Sequence, residues 1–514
     1  MNRNNSISMP GPAGAWRHYL AVWLLALLLA VTGLTACGGK GDEQAAFQED
    51  NGELSISLTD AEGDFVSYTV DVVSLSLTRA NGTVVETLPI KTRVDFAQYT
   101  DMTEFLTIAT VPAGVYVKGS LVLDYSNAEI LVENAAGDPV TVSGADIRDK
   151  AGKVVDSMTM SVSLEGKNHL TIVPGVPSHL SLDFDLQASH SVIFNEGTPQ
   201  VTVSPYLLAD VDVEHNKPHR ARGPLKDVQL EASKFQVYVR PFTHLINGAQ
   251  NHFGVLNIHT ADSTLFEIDG VTYTGATGLA LLADMPQFSA VVAIGDVKHH
   301  PRRFDAKLVY AGSSVPGGDM DVVRGSVVSR SADMLTVKGM IFLRDNGNIS
   351  FNKTVLVSLA DSTTILKALK LGSFNKGDIS VGQYVTVFGN LANNDPGEPI
   401  LDAANGYARM ELSNLKASRV GVVYIPEEPP LYPFVLNVSR INGRDISQYD
   451  FTGTGTDAAN DAQADFYEVD NGPLDVSGIS TGATVRVRGH ATPFGSAPAD
   501  FEAMTIINLS PNKK

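Results

Sequence analysis

One short stretch of the sequence has the spacing of a hydrolase nucleophile. The segment GISTG at 478–482 fits the G-x-S-x-G pattern, in which a strand turns sharply into a helix and lifts the serine above a parallel sheet. Asp475 and His490 flank it and could supply the other members of a catalytic triad. The following residues, 483–489, instead alternate as a strand does. The sequence therefore predicts that Ser480 is a turn residue before a strand and that the chain is not an enzyme.

Histidines form loose pairs that could contribute to a metal site. Zinc is usually bound by three or four ligands that converge from rigid elements. Pro218 lies within the first histidine pair, so that pair cannot be assumed to share a helix face. We therefore expect polar surface positions rather than a zinc site. The pairs are His215 with His219, His244 with His252, and His299 with His300.

Carboxylates are better candidates for binding a cation. Asp60 and Asp64 flank a turn that contains glycine. Calcium takes about six to eight oxygen ligands from carboxylates and carbonyls, and exported β modules often hold it. The chain has neither an EF-hand nor a tandem acidic-glycine repeat, so solvated strand faces remain the default interpretation. The sequence predicts no cofactor, and a calcium ion at Asp60 and Asp64 is the alternative.

Cys37 is the single cysteine of the chain, so no disulfide can form within it. An apolar stretch at 19–31 precedes it and follows Arg3 and Arg17. A stretch of this length spans about 20 Å as a helix, whereas a bilayer span needs roughly 20 residues. A secretion signal that is removed is therefore favoured over a retained membrane anchor.

The residues around this cysteine, Leu34-Thr35-Ala36-Cys37, resemble the bacterial lipobox. The resemblance implies a lipoprotein signal peptide at 1–36, cleavage before Cys37, a diacylglyceryl group on its sulfur and a palmitate-type acyl chain on the new amino terminus. Gly38 stands where an aspartate usually retains such proteins at the inner membrane. The implied location is the outer membrane, on its periplasmic side or at the cell surface.

The charge of the chain is strongly negative, with 38 Lys and Arg against 57 Asp and Glu and a net charge of −19. Removal of a signal with two arginines would take the net charge to −21. The largest basic clusters are the short stretches 219–222 and 299–303. Nucleic-acid binding is therefore not expected, because it needs a broad basic surface.

The elements that carry these residues are predicted to be strands. Leu54, Ile56 and Leu58 alternate with polar residues, which is typical of a half-buried strand. The alternation changes phase at 72–73, which predicts a β-bulge or a change of sheet there. Asn81-Gly82 predicts a tight hairpin turn with two positive φ angles. Short helices fit only 96–106 and 363–371.

The first part of the chain carries three short signatures of a known family. GELSISLTDAEGD at 52–64, VPAGVY at 111–116 and LDFD at 182–185 resemble the domain of unknown function 4382, which occurs in many bacterial lipoproteins. Glu62 replaces the usual proline of the first signature. The resemblance supports a β fold and an envelope location, and it implies no activity.

The rest of the chain repeats with a period of about ninety to a hundred residues. The segment at 378–389 matches the one at 477–489 in an Ile-Ser-x-Gly turn and a Val-x-Val-x-Gly strand, and 288–295 is a fainter copy. A closing strand opens with FDA at 304–306, LDA at 401–403 and FEA at 501–503. These units are similar to the small domain of unknown function 5666.

Together, these observations predict an all-β protein with an antiparallel β-sandwich-like N-terminal domain and three smaller β-barrel-like or sandwich-like repeat units. The expected function is a non-catalytic binding or display module on the cell envelope that contacts the membrane through its lipid and binds a glycan or an envelope protein. A structural or assembly accessory is the alternative, and a hydrolase that uses Ser480 is a third hypothesis. The predicted boundaries are a tether at 37–52, the domain at 53–213, a linker at 214–224, and repeat units at 225–311, 320–417 and 418–510.

Overall fold

Strands dominate the structure of this chain. The computed structural model describes residues 50–60, 65–99, 102–134, 139–166, 169–211, 217–240, 252–318, 320–345, 349–393, 398–421 and 434–510. The predicted signal peptide, Cys37, Asp64 and the predicted tether up to residue 49 lie outside these residues. The end of that tether, Asn51 and Gly52, already belongs to the first strand.

The described residues of the N-terminal domain form fourteen strands and one short α-helix, α1 (Leu186–Ser189). Its strands are β1 (Asn51–Thr59), β2 (Phe65–Arg79), β3 (Val84–Glu86), β4 (Thr92–Asp95), β5 (Thr103–Pro112), β6 (Gly114–Glu133), β7 (Pro139–Val142), β8 (Ile147–Asp149), β9 (Ser157–Ser163), β10 (Leu170–Ile172), β11 (Ser178–Phe184), β12 (His190–Asn195), β13 (Thr198–Val203) and β14 (Leu207–Val211).

Two sheets of this domain share one hydrophobic core. One contains β14-β11-β1-β5, and the other contains β10-β6-β2-β3 with β4, β7 and β9 alongside. A small third sheet contains β12-β13-β8. Most pairs are antiparallel, but β1 pairs with β11 and β13 pairs with β8 in parallel. The prediction of an all-β, sandwich-like domain is confirmed, and the parallel pairs are an addition to the predicted antiparallel arrangement.

Details of the strand pattern also match the sequence. Leu54, Ile56 and Leu58 are buried. The pairing of β2 with β6 shifts between Val72 and Ser74, which is the predicted bulge, and it leaves Val73 partly exposed. At the β2–β3 turn only Gly82 has a positive φ, because the chain closes through a longer loop than the predicted two-residue turn.

Three barrels follow, and their strands have the same order in space. The first contains β15 (His219–Gln229), β16 (Lys234–Tyr238), β17 (Val255–His259), β18 (Leu265–Ile268), β19 (Val271–Thr274), β20 (Ala290–His299) and β21 (Arg302–Ala311). The second contains β22 (Asp321–Ser331), β23 (Met334–Leu343), β24 (Ile349–Ser358), β25 (Thr364–Lys367), β26 (Lys370–Phe374), β27 (Tyr384–Asn393) and β28 (Ile400–Glu411). The third contains β29 (Ser413–Gly421), β30 (Phe434–Ile441), β31 (Arg444–Asp445), β32 (Tyr467–Asp470), β33 (Thr484–Ala491) and β34 (Phe501–Asn508).

Each barrel closes through five of these strands. In the second barrel the closed order is β22-β23-β24-β28-β27 and back to β22, with β24 and β28 parallel. The corresponding strands of the other two barrels pair in the same way. A Greek-key barrel of five strands is the architecture that includes the OB fold. The predicted β-barrel-like repeat units are therefore present.

In each repeat unit, the glycine that ends the Val-x-Val-x-Gly strand contacts the start of the closing strand. Gly295, Gly389 and Gly489 each lie at or beside a register shift between the last two barrel strands. A Cβ at these glycines would lie 2.0, 2.3 or 1.9 Å from the carbonyl oxygens of Asp305, Asp402 or Glu502. These three acidic residues are the central residues of the FDA, LDA and FEA landmarks. The glycine recurs because the opposite strand leaves no room for a side chain.

A hairpin distinguishes the first two barrels from the third. It contains β18 and β19 in the first barrel and β25 and β26 in the second, and it pairs in parallel with the closing strand. Helix α2 (Gly275–Asp284) follows the first hairpin. Between β32 and β33 of the third barrel, residues 471–483 form turns and irregular segments instead of a hairpin. The described part of the third barrel therefore differs from the first two barrels in this connection.

Several sequence expectations need correction. The predicted linker at 214–224 overlaps β15, because residues from His219 onward pair with the strands of the first barrel. The third barrel begins at Ser413, five residues before the predicted start at 418. In place of the helix expected at 96–106, the described residues form a 3-10 turn at Phe96–Tyr99 and the start of β5, and the helix expected at 363–371 is replaced by β25 and the start of β26.

Candidate functional site

The predicted lipidation site, Cys37, lies outside the described residues. The same holds for Asp64, one of the two predicted calcium ligands. Across the residues that the structure does describe, no helix is long and apolar enough to cross a membrane.

The residues of the apparent hydrolase motif do not form a catalytic arrangement. Ser480 is exposed in a turn, and the backbone N–H of Ala483 donates to its carbonyl oxygen. The next element is strand β33, whereas a nucleophile elbow needs a helix there. The carboxylate of Asp475 accepts from the backbone N–H of Ser477, and His490 is fully buried within β33. The prediction that Ser480 is a turn residue is confirmed.

Asp60 is a buried carboxyl group in the N-terminal domain. One of its oxygens accepts from the backbone N–H of Leu186 at 2.9 Å. Burial raises the pKa of Asp60 to about 9, and the negative charge of Asp183 adds to the increase. This raised pKa favours the protonated side chain at neutral pH when no metal is bound. Within the described ranges, no group of three or more histidine, cysteine, aspartate or glutamate side chains is arranged to hold a metal ion.

Three histidines gather in a combination that the sequence did not suggest. His179, His219 and His299 are all buried where the N-terminal domain meets the first barrel. The ring of His179 lies 5.2 Å from that of His219 and 6.2 Å from that of His299, measured between centroids. Ser57 Oγ lies 2.9 Å from His179 Nε2. The expectation of polar surface positions is therefore wrong for His219 and His299.

The same junction contains a buried ionic cluster. Strand β15 pairs in parallel with β5, so that Arg220 lies opposite Glu104. The Glu104 carboxylate accepts from Arg220 Nε and, at 2.7 Å, from Arg222 Nε. Burial and the positive charge of Arg222 lower the pKa of Arg220 to about 10. The basic stretch 219–222 is thus part of a domain junction rather than an exposed patch.

A second buried ion pair joins the first barrel to the second. Arg409 on β28 donates to both carboxylate oxygens of Glu267 on β18, at 2.7 and 2.5 Å, and both side chains are less than 5% exposed. The guanidinium also lies 3.7 Å from the ring centroid of Tyr310 and donates to the carbonyl of Ser314. Burial tends to lower the pKa of Arg409, but the Glu267 carboxylate outweighs it and raises that pKa above its ordinary value.

The junction between the second and third barrels uses a neutral amide. Gln383 is fully buried, and its Nε2 donates to the carbonyl of Glu411 at 2.5 Å. Its Oε1 accepts from the backbone N–H of Ala491 at 3.1 Å, in the third barrel. Val328 and Val381 of the second barrel pack into the core of the third.

Charged side chains also form ion pairs between the second and third barrels. Lys370 Nζ lies 2.5 Å and Lys367 Nζ 3.5 Å from carboxylate oxygens of Glu502. Burial lowers the pKa of the adjacent His490 to about 3, and the positive charges of the two lysines contribute. His490 is therefore neutral throughout the physiological pH range.

A repeated tetrapeptide could have revealed part of this organisation. Ala-Asp-Ser-Thr occurs at 261–264 and again at 360–363, directly before the two hairpins. Thr264 Oγ1 donates to the carbonyl of Ala306, and Thr363 Oγ1 donates to that of Ala403. Each threonine therefore fixes its hairpin to the closing strand of its barrel. The tetrapeptide marks the start of the hairpins that carry the junction residues.

Comparison with known protein families supports the N-terminal domain described above. The family described as Domain of unknown function (DUF4382) matches residues 51–205, which is the part of the chain that forms the N-terminal domain. The match covers less than half of the chain, and its description assigns no activity.

The other comparisons add little. No curated protein matches the chain. Among solved structures, a candidate cell adhesion protein from Parabacteroides distasonis ATCC 8503 aligns over 71% of this chain and 98% of its own, at 11% identity and a TM-score of 0.15. A TM-score this low supports no argument about fold or function.

Proposed function

We propose that this chain is a lipid-anchored protein of the bacterial cell envelope that displays non-catalytic binding modules. The observation that carries the proposal is the sequence Leu34-Thr35-Ala36-Cys37, which follows the apolar stretch at 19–31 and contains the single cysteine. Acyl chains on Cys37 would bind a membrane with about 0.8 kcal/mol for each buried methylene, so two or more chains hold a protein durably.

Binding without catalysis fits the arrangement of the described residues. Ser480, Asp475 and His490 are held by separate local contacts, as described above. The loops between barrel strands are the natural positions for recognition, because rigid strands hold them and their sequences are free to vary. Five-stranded barrels of the OB type bind oligosaccharides in other proteins. A glycan, a cell-wall polymer or an envelope protein is the proposed partner.

The lipid anchor is tested with Cys37→Ser in the native cell. We expect the unchanged chain to incorporate labelled palmitate and to sediment with membranes, and the variant to do neither. Incorporation of palmitate by the variant, together with membrane retention, would overturn the anchor. Ser480→Ala serves as the control, since its lipidation should be unchanged.

The binding role is tested on the lipidated protein after extraction in detergent. A glycan array and crosslinking in living cells, followed by identification of neighbours, together cover both kinds of partner. Saturable binding to a glycan supports a recognition module. Ser480→Ala should leave the result of a broad ester and glycoside hydrolysis screen unchanged, and a loss of hydrolysis would instead support an enzyme.

A structural or assembly accessory of an envelope complex is the second candidate. The buried ion pairs at two successive junctions favour it, because they hold the N-terminal domain and the first two barrels in fixed contact. A scaffold of this kind should crosslink to a fixed set of envelope proteins and bind no glycan. The same crosslinking experiment therefore separates the two candidates.

A further inference from the structure

Three turns of the N-terminal domain meet at the end where β1 begins. Asn51 pairs with Pro112, which places the β5–β6 turn at this end. Ile172 pairs with Gly114, and Ala80 donates its backbone N–H to the carbonyl of Val115, so the turns at 173–177 and 79–84 lie beside it. We name the three turns, 79–84, 112–115 and 173–177, the tip surface.

Each turn of the tip surface exposes valine. Val84 is 63% exposed, Val115 41%, Val173 46% and Val176 43%. With regular alternation along β6, the side chain of Val115 would lie on the same buried face as that of Leu121. The alternation is not kept at the start of the strand, so Val115 is exposed. One exposed valine is ordinary in a folded protein, whereas several on adjoining turns form an apolar patch of the kind that contacts partners or membranes.

The charges around the tip surface differ from those of the whole chain. None of its three turns contains Asp or Glu, although the chain carries 57 such residues. Arg302, in the basic stretch 299–303, donates to the carbonyl of Pro177 at 3.0 Å and so brings that stretch beside the third turn. The nearest carboxylates along the chain are those of Asp50 and of Glu86, and the Glu86 carboxylate accepts hydrogen bonds from Ser74 Oγ and the backbone N–H of Leu75. An apolar patch whose own turns lack carboxylates and that has a basic stretch beside it matches the surface of a bilayer that contains anionic lipid.

The path of the chain leads from this end to the predicted anchor. Ala113 of the second turn donates its backbone N–H to the carbonyl of Asp50 at 2.7 Å, so the chain leaves the domain within the tip surface. The thirteen residue-to-residue steps from Cys37 to Asp50 span at most about 45 Å when the chain is fully extended. A lipid on Cys37 therefore keeps the tip surface within a short distance of the bilayer.

We propose that the tip surface is a second membrane contact, which rests on the lipid bilayer in which Cys37 is anchored. This inference rests on the proposed lipid anchor. The valines enter the interfacial region of the bilayer, and the outer residues of the basic stretch, His300, Arg302 and Arg303, face anionic headgroups. The N-terminal domain then has a fixed orientation on the membrane instead of moving freely at the end of a tether.

The test uses the lipidated full-length chain, in which a new cysteine is the single reactive thiol because lipid blocks the sulfur of Cys37. Val84→Cys and Val173→Cys are labelled with a fluorophore that responds to polarity and reconstituted in phosphatidylethanolamine and phosphatidylglycerol vesicles. Val271→Cys is the matched control, since Val271 is 50% exposed on the first barrel. We expect a blue shift and quenching by spin-labelled lipid at the two tip positions and neither at Val271.

Two results would overturn the proposal. One is emission typical of water at Val84 and Val173 in a chain whose Cys37 is lipidated. The other is an equal shift at Val271, which would indicate adsorption of the whole protein. The mass of the peptide that contains Cys37, measured on the same samples, separates failure of the anchor from failure of the tip surface.

A second variant tests the contact from the opposite direction. Val173→Asp adds a negative charge to the tip surface at an exposed turn, where the fold has no need of the valine. We expect it to abolish the blue shift of a probe at Val84 while the protein stays on the vesicles through its lipid. A probe at Val84 that keeps its full shift in this variant would contradict the proposed contact.

Discussion

The junction between the first and second barrels relies on a buried ion pair, whereas the next junction relies on a buried amide, apolar contacts and exposed charges. Glu267 and Arg409 are almost fully buried, while Lys370 and Glu502 are 32% and 44% exposed. In both cases the hairpin of one barrel reaches the next barrel. The same kind of hairpin therefore contacts the following barrel at two junctions whose charged groups differ in burial.

This difference determines how each junction responds to change. A buried ion pair adds little net stability compared with apolar residues of the same shape. Removal of one partner, however, leaves the other charge unpaired in the protein interior, which is strongly destabilising. A buried amide loses only hydrogen bonds, and an exposed pair is weakened by salt. The junction between the first and second barrels should thus be the more sensitive to single substitutions. The junction between the second and third barrels should be the more sensitive to pH and ionic strength.

The largest effect is expected for Glu267→Gln. This substitution leaves the buried Arg409 charge with only the more distant Glu411 carboxylate, 3.5 Å away, and should cost up to about 3–5 kcal/mol of unfolding free energy. The chain has two tryptophans, Trp16 and Trp23, and both precede the described residues, so urea unfolding is best followed by circular dichroism. Glu165→Gln is the exposed control. A midpoint equal to that of the control would show that the ion pair does not hold the barrels together.

Gln383→Ala should have the next largest effect. It removes the donor to the Glu411 carbonyl and the acceptor for the Ala491 N–H, and the loss of buried hydrogen bonds costs about 1–3 kcal/mol. Gln287→Ala, at an exposed position, provides the comparison in the same urea experiment. If Gln383→Ala destabilised the chain more than Glu267→Gln, the proposed contrast between the junctions would be reversed.

Acidification should weaken the junction between the second and third barrels because it protonates His490 in the unfolded chain. Its pKa is about 3 in the folded chain and about 6.5 when unfolded, so the unfolded state binds the additional proton between these values. Stability is therefore complete above pH 6.5 and falls with decreasing pH, by up to about 1 kcal/mol for each pH unit. Lys367, Lys370 and Glu502 face this histidine. His490→Gln should reduce the fall in melting temperature between pH 7 and pH 5, and an unchanged slope would exclude His490 as a source of it.

The smallest effect is expected for Lys370→Ala. An exposed pair of this kind contributes about 1 kcal/mol or less, and salt screens it. The difference in melting temperature between the unchanged chain and the variant should therefore be small at low salt and vanish at high salt. A large difference that persists in high salt would show that Lys370 acts through packing instead of charge.

Local features of the fold could be predicted because neighbouring residues encode them. The alternation at Leu54, Ile56 and Leu58 identifies a half-buried strand, and the change of phase at Val72 identifies a bulge. The repeat was visible because a glycine such as Gly389 must face a backbone carbonyl on the closing strand, so both landmarks recur together.

The junctions could not be predicted, because their residues are far apart in sequence. Glu267 and Arg409 are separated by 142 positions and meet only after both barrels have formed. Arg220 and Arg222 look like surface residues in the sequence, since nothing nearby indicates that Glu104 lies opposite them. The linker was misassigned for the same reason: charged residues that are buried against a distant partner have the composition of a loop.

The state of Cys37 tests the central claim of a displayed, lipid-anchored chain most directly. Intact-mass and peptide mass spectrometry of the protein extracted from native membranes should find an amino terminus at Cys37, a diacylglyceryl group on its sulfur and an acyl chain on its nitrogen. A chain that retains residues 1–36, or one with a free thiol at Cys37, would contradict the account.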